Sequence, residues 1–152
     1  MANQSDASFT RPSAIERILN RAFGTVVGLG LGLAHNYLLQ VQGRKSGRLY
    51  STPVDLLESG GKLYLVCARG RAQWVRNVEA RGRVILKKRR SRAFDVVTVP
   101  DEQKAAILKE YLDRFATTVQ RYFPVAAGSP VAAFAPYLDR YPVFELKPPE
   151  TI

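Results

Sequence analysis

The reversal Gln42-Gly43-Arg44-Lys45-Ser46-Gly47-Arg48 constrains this chain more than any other stretch. The apolar, strand-like run Tyr37-Leu38-Leu39-Gln40-Val41 feeds into it, and a second such run over 50–57 leaves it. The two runs must therefore lie antiparallel, joined by two glycines, two adjacent cations and a hydroxyl. A turn of this composition exposes backbone N–H groups and cationic side chains to a common anion.

The same period-two patterning recurs along the chain. It predicts strands over 37–42, 49–58, 62–68, 83–88, 92–99 and 142–147, with Ser59-Gly60-Gly61 as a hairpin turn. Helical spacing predicts three inserted helices. One lies over 73–80 and carries Trp74, Asn77 and Val78. A longer one starts at Pro100-Asp101-Glu102, with Ala105, Ile107, Leu108, Tyr111, Leu112 and Phe115 on one face. A short one falls near 130–139. Upstream, Ser13 and Glu16 form a capping box for an N-terminal helix with Ile15, Ile18, Leu19, Ala22, Phe23 and Val26 on one face. That helix frays in the series Gly24, Gly28, Gly30, Gly32. Residues 1–12 read as a flexible tail and 13–152 as one domain. The fold class is α+β, and six short antiparallel strands of this size curl into a barrel, which removes exposed edges.

A net charge of +10 favours anionic partners: nucleic acid, an acidic membrane surface or a polyanionic small molecule. The first ten residues lack the basic-then-apolar order of a signal peptide, and the apolar run 22–34 is short of the ~20 residues that span a bilayer. These features predict a cytoplasmic protein with peripheral contact at the inner face of a membrane as the variant reading. Cys67 is the single cysteine, so an internal disulfide is excluded, and no His/Cys cluster suggests a metal. His35 stands alone and reads as structural. No Ser–His–Asp order points to hydrolysis.

Two further groups bear on the first turn. Arg69-Gly70-Arg71 follows the third strand, and Trp74 and Asn77 lie one helical turn apart. Two cationic turns at one end of a barrel can clamp a phosphate, a Trp can cover an aromatic ring, and an Asn can bond the ring's carbonyl or amide edge. The basic run Lys87-Lys88-Arg89-Arg90-Ser91-Arg92 raises a nucleic-acid reading, but RNA-binding sheets add exposed aromatics and only Phe94 is near. A solvated hairpin turn accounts for it, so nucleic acid is not the expected partner.

The order of these pieces resembles the deazaflavin-dependent nitroreductases, which use coenzyme F420 on a flavin-binding split β-barrel. The matching stretches are Leu38-Leu39 into Gly43-Arg44-Lys45-Ser46-Gly47, then Thr52-Pro53, the acidic-Gly-Gly hairpin over 58–61, Trp74-Val75-Arg76-Asn77, and Tyr141-Pro142-Val143-Phe144-Glu145-Leu146. The resemblance implies that Gly43, Arg44, Lys45 and Ser46 bind the phosphate and acidic tail. It implies that Thr52 and Pro53 line the ring pocket, that Ala68, Arg69 and Gly70 flank the ring or phospholactyl region, and that Trp74 and Asn77 complete the site. The family often has an arginine where Tyr50 stands, so either Arg48, two residues away on the same strand face, or the second loop supplies that charge, or the cofactor sits differently. The segment before Trp74 is also shorter than in the family and carries Arg69 and Arg71.

The expected activity is hydride transfer from reduced F420 to a small hydrophobic, electron-poor acceptor: a quinone, an activated alkene or a nitro compound. FMN on the same fold, or non-catalytic binding of F420 or a fatty acid, are the rival readings. Tyr122 and Tyr137 are the candidate catalytic hydroxyls, and Phe134 a candidate cover for the substrate side. Split barrels of this kind are often homodimers.

Overall fold

The computed structural model describes residues 36–149. The expected N-terminal tail and helix, the glycine series and His35 lie outside the described residues. Within them, seven strands form one antiparallel sheet: β1 (Asn36–Gln42), β2 (Leu49–Asp55), β3 (Leu57–Ser59), β4 (Lys62–Val66), β5 (Arg83–Lys87), β6 (Ser91–Thr98) and β7 (Val143–Lys147). Their spatial order is β2-β1-β5-β6-β7-β4-β3. Two helices are inserted, α1 (Gln73–Arg81) and α2 (Asp101–Val119).

The expected six strands become seven because the run over 49–58 breaks at Leu56. Consecutive Leu56 and Leu57 are both buried, which a single alternating strand with one wet face does not allow. Leu56 joins the barrel interior with Leu39, Val41, Val84, Leu86, Phe94 and Phe144. Leu57 instead joins the layer beneath α2, with Tyr64, Val66, Leu108, Leu112 and Val143. The chain thus crosses from one edge of the sheet to the other within a single residue, and the sheet curls into a split barrel around two cores.

The other elements follow their local chemistry. Gly82 ends α1 in the left-handed conformation (φ 69°), its N–H donating to the Val78 carbonyl at 2.8 Å. Asp101 and Glu102 occupy the first turn of α2, where the helix dipole favours acids. The face over Ile107, Leu108, Tyr111, Leu112 and Phe115 is buried, as the spacing predicts. The helix bends at Phe115 (φ −112°, ψ 24°). The segment expected as a short helix near 130–139 is a run of 3-10 turns, Val131–Arg140, with Pro136 inside it. Proline removes an N–H donor there, so a regular α-helix does not form. Phe123 stacks on Tyr141 at 4.4 Å, and the Tyr141 hydroxyl donates to the Tyr122 carbonyl at 2.6 Å, which pins this segment to the α2 layer.

Candidate functional site

β1 and β2 pair in register from Asn36 opposite Asp55 to Gln42 opposite Leu49, so residues 43–48 form the connecting turn. The turn is closed by its own backbone. The Gly43 N–H donates to the Arg48 carbonyl at 2.7 Å, and the Gly47 N–H donates to the Gly43 carbonyl at 3.0 Å. Gly47 has φ 73°, a conformation that L side chains rarely adopt. A Cβ on Gly43 would lie 2.6 Å from Tyr50 Cε2 and 2.9 Å from Ser46 Oγ, so glycine there admits the tyrosine ring against the backbone.

α1 faces this turn. Its Asn77, 5% exposed, accepts from the Arg44 backbone N–H at 3.1 Å and from Arg44 Nη1 at 2.8 Å through one oxygen, Oδ1. Arg44 Nη2 donates to Gln73 Oε1 at 3.0 Å, and Arg81 Nη2 to the Gly43 carbonyl at 2.8 Å. Gln73 and Asn77 stand four residues apart and share a helix face. Arg44 is thereby a strut between turn and helix; Lys45 and Arg48 are the exposed cations of the turn, and of these Lys45 lines the cleft between turn and helix. Among the described residues, the backbone N–H groups of Lys45 and Ser46 donate to no protein acceptor.

Between turn and helix lies a cleft of about 450 Å³, lined by Gly43, Arg44, Lys45, Ser46, Tyr50, Ser51, Thr52, Gln73, Trp74 and Asn77. This is within the usual range for small-molecule sites. Trp74 is half-buried and packs edge-on against Phe144, with centroids 6.3 Å apart. The α1 N-terminus beside it carries no side-chain cap. Cations, free amides and a helix N-terminus suit an anion. The indole beside them suits a ring. No carboxylate, imidazole or thiol is among the lining residues.

Of the residues singled out in the sequence, the cleft brings together Gly43, Arg44, Lys45, Ser46, Thr52, Trp74 and Asn77. Arg48 is exposed at the turn and Pro53 half-buried on β2; neither lines the cleft, and Tyr50 does. Ala68, Arg69 and Gly70 make the turn into α1, closed by Gly70 N–H to Cys67 carbonyl at 3.3 Å and Ala72 N–H to Gly70 carbonyl at 2.9 Å, away from the lining. The Arg69 guanidinium lies 5.2 Å from the Tyr122 ring centre. Tyr122 and Tyr137 pack against the α2 core and do not line the cleft, and Phe134 is buried in that core. Sequence reasoning missed Gln73 and Ser51. The four-residue spacing of Gln73 and Asn77 was the available signal for the first.

Cys67 is buried, and that burial pushes its thiol up to about 11, so it is a neutral packing group at physiological pH. Among the described residues no cluster of His, Cys, Asp and Glu is placed to hold a metal. Among them, too, no helix is long and apolar enough to cross a membrane.

A curled antiparallel sheet of this strand order, with a cleft beside the β1–β2 turn, is a split barrel. A family profile described as F420H(2)-dependent quinone reductase matches residues 15–127, most of the chain. The chain belongs to that family, and it is an oxidoreductase that uses coenzyme F420. Among solved structures, one titled "Structure of F420-H2 Dependent Reductase (FDR-A)" is 17% identical with a TM-score of 0.52, covering 75% of this chain and 95% of its own. A structure described as a domain-swapped dimer is 20% identical with a TM-score of 0.55, covering 88% and 93%. HutZ, a heme storage protein from Vibrio cholerae, is 11% identical with a TM-score of 0.54, covering 91% and 93%. At these identities the likeness is one of fold. No curated protein sequence matches the chain.

Proposed function

We propose that the cleft between the β1–β2 turn and α1 is where this F420-dependent reductase holds its cofactor, and that the acceptor is a small, apolar, electron-poor molecule of the quinone, activated-alkene or nitro type. The observation that supports this most is the Arg44–Asn77 lock. It holds the turn against the helix so that Lys45, two free amide N–H groups and an uncapped helix N-terminus border one cleft. These groups fit a phosphodiester, and Trp74 fits the ring attached to it.

When bound, reduced F420 supplies a hydride equivalent. The protein's residues bind and orient. The amides of Lys45 and Ser46 and the Lys45 ammonium hold the phosphate, with Gly43 keeping the Tyr50 ring close to the turn. Trp74, backed by Phe144, forms an apolar wall for the ring, and Thr52 and Asn77 offer polar atoms at its edge. Arg44 acts first through position, with two of its five N–H donors given to Gln73 and Asn77, and its charge, which those neutral amides do not cancel, stays beside the cleft. With no carboxylate, imidazole or thiol lining the cleft, the residues contribute chiefly placement and electrostatics.

Titration with oxidised F420, followed by quenching of its fluorescence, tests the site. Saturable binding in the micromolar range is expected, followed by reoxidation of F420H2 by menadione. Absence of binding at tens of micromolar would remove the cleft from consideration.

A further inference from the structure

Tyr50 is half exposed beside the turn, yet it is held in place. Its hydroxyl oxygen lies 3.3 Å from Ser46 Oγ, and its ring occupies the space that a Cβ on Gly43 would need. Ser46 Oγ also accepts the Arg48 backbone N–H at 3.2 Å. The two hydroxyls carry two hydrogens between them. One is spent in their mutual bond, whichever oxygen donates it. Among the described residues the other has no acceptor. Both residues line the cleft, next to Lys45 and the free turn amides.

We propose that the Ser46–Tyr50 pair is a neutral phosphate-binding donor, supplying through a hydrogen bond part of the grip that a cation would supply through charge. The inference rests on the reading that the cleft holds the F420 phosphate, and it deepens that reading by dividing the grip into two kinds. Lys45 acts through charge, which salt screens. The hydroxyl pair acts at contact range, which salt scarcely touches.

The shared hydrogen gives the pair an unusual mutational signature. Removing either hydroxyl frees the survivor from the mutual bond, and the survivor then turns its own hydrogen to the ligand. Only loss of both abolishes the donor. F420 titrations of wild type, Tyr50→Phe, Ser46→Ala and the double variant, at low and high salt, test this. Each single variant is expected to weaken binding less than about threefold, and the double variant by about tenfold or more, exceeding the product of the singles. The double variant's loss is expected to be equal at both salt concentrations. The phenylalanine ring still covers Gly43, so the turn keeps its shape, and matched circular dichroism melts verify it. As an independent variant, Tyr50→Arg adds a charge beside the surviving Ser46 hydroxyl and is expected to steepen the salt dependence of binding.

A double variant that binds like wild type, losses that simply multiply, a loss that vanishes at high salt, or Tyr50→Arg with an unchanged salt dependence would each overturn the inference while leaving the cleft as the F420 site. A wild-type protein that does not bind F420 would overturn the site itself.

Discussion

Two hairpins of this sheet are almost equally basic, and one of them borders the cleft facing α1. The β1–β2 turn carries Arg44, Lys45 and Arg48; the β5–β6 turn carries Lys88, Arg89 and Arg90 between flanking Lys87 and Arg92. Because Leu38 pairs with Lys87 and Gln40 with Ile85, the two turns sit at opposite ends of the sheet. At the second turn two of the cations lie over aromatic rings of the sheet itself. Lys88 Nζ lies 5.1 Å from the Tyr37 ring centre, and the Arg92 guanidinium 5.0 Å from that of Phe94. At the first, a helix stands opposite, and Asn77 and Gln73 take up one cation so that the next is presented. Charge density is similar in both. What distinguishes a site from a solvated turn is the element that faces it.

That contrast can be broken most sharply at Asn77. Asn77→Leu removes the acceptor of two Arg44 hydrogen bonds and leaves the Arg44 amide unpaired; F420 affinity is expected to fall on the order of 10- to 100-fold, with a stability loss of about 1–3 kcal/mol. Unchanged affinity in the titration would mean that the helix does not organise the turn. Next is Lys45→Ala, which should weaken binding by about tenfold at low salt and much less at high salt, as the screening of an exposed charge requires. A loss independent of salt would contradict the role given to its ammonium. The smallest effect is expected from the far hairpin. Arg89→Ala together with Arg90→Ala removes two charges, yet F420 affinity should change less than about twofold, through the general field alone. A larger drop would show that the second turn also reaches the ligand.

The turn itself was legible in the sequence because its chemistry is local: glycines where the backbone reverses or a ring comes close, and strand periodicity on both sides. α1 and α2 were legible for the same reason. Arg44's engagement with Asn77 was not, since the two are 33 residues apart and nothing local marks the partner of a cation. Arg48 looked like the natural replacement for a missing arginine because strand periodicity places it on the same face as Tyr50. In the structure it stays exposed, and the tyrosine lines the cleft. The break at Leu56 left a trace in the doubled apolar pair Leu56-Leu57, which interrupts alternation. Its meaning depends on the two cores that receive the side chains, and those form only when the sheet closes. Arg69 and Tyr122 approach each other through the α2 layer, a contact between distant segments that local periodicity does not encode.

Leu56 also governs the order in which such a molecule can assemble. β2 and β3 sit at the two ends of the strand sequence in space, yet they are separated by one residue in the chain. Zipping β2 onto β1 therefore delivers the start of β3 to the opposite rim with almost no loop to close, so the step that shuts the barrel carries little of the entropic penalty of a distant pairing. The slow work falls instead to β7, which is recruited from some eighty residues beyond β4 and must slot between β4 and β6.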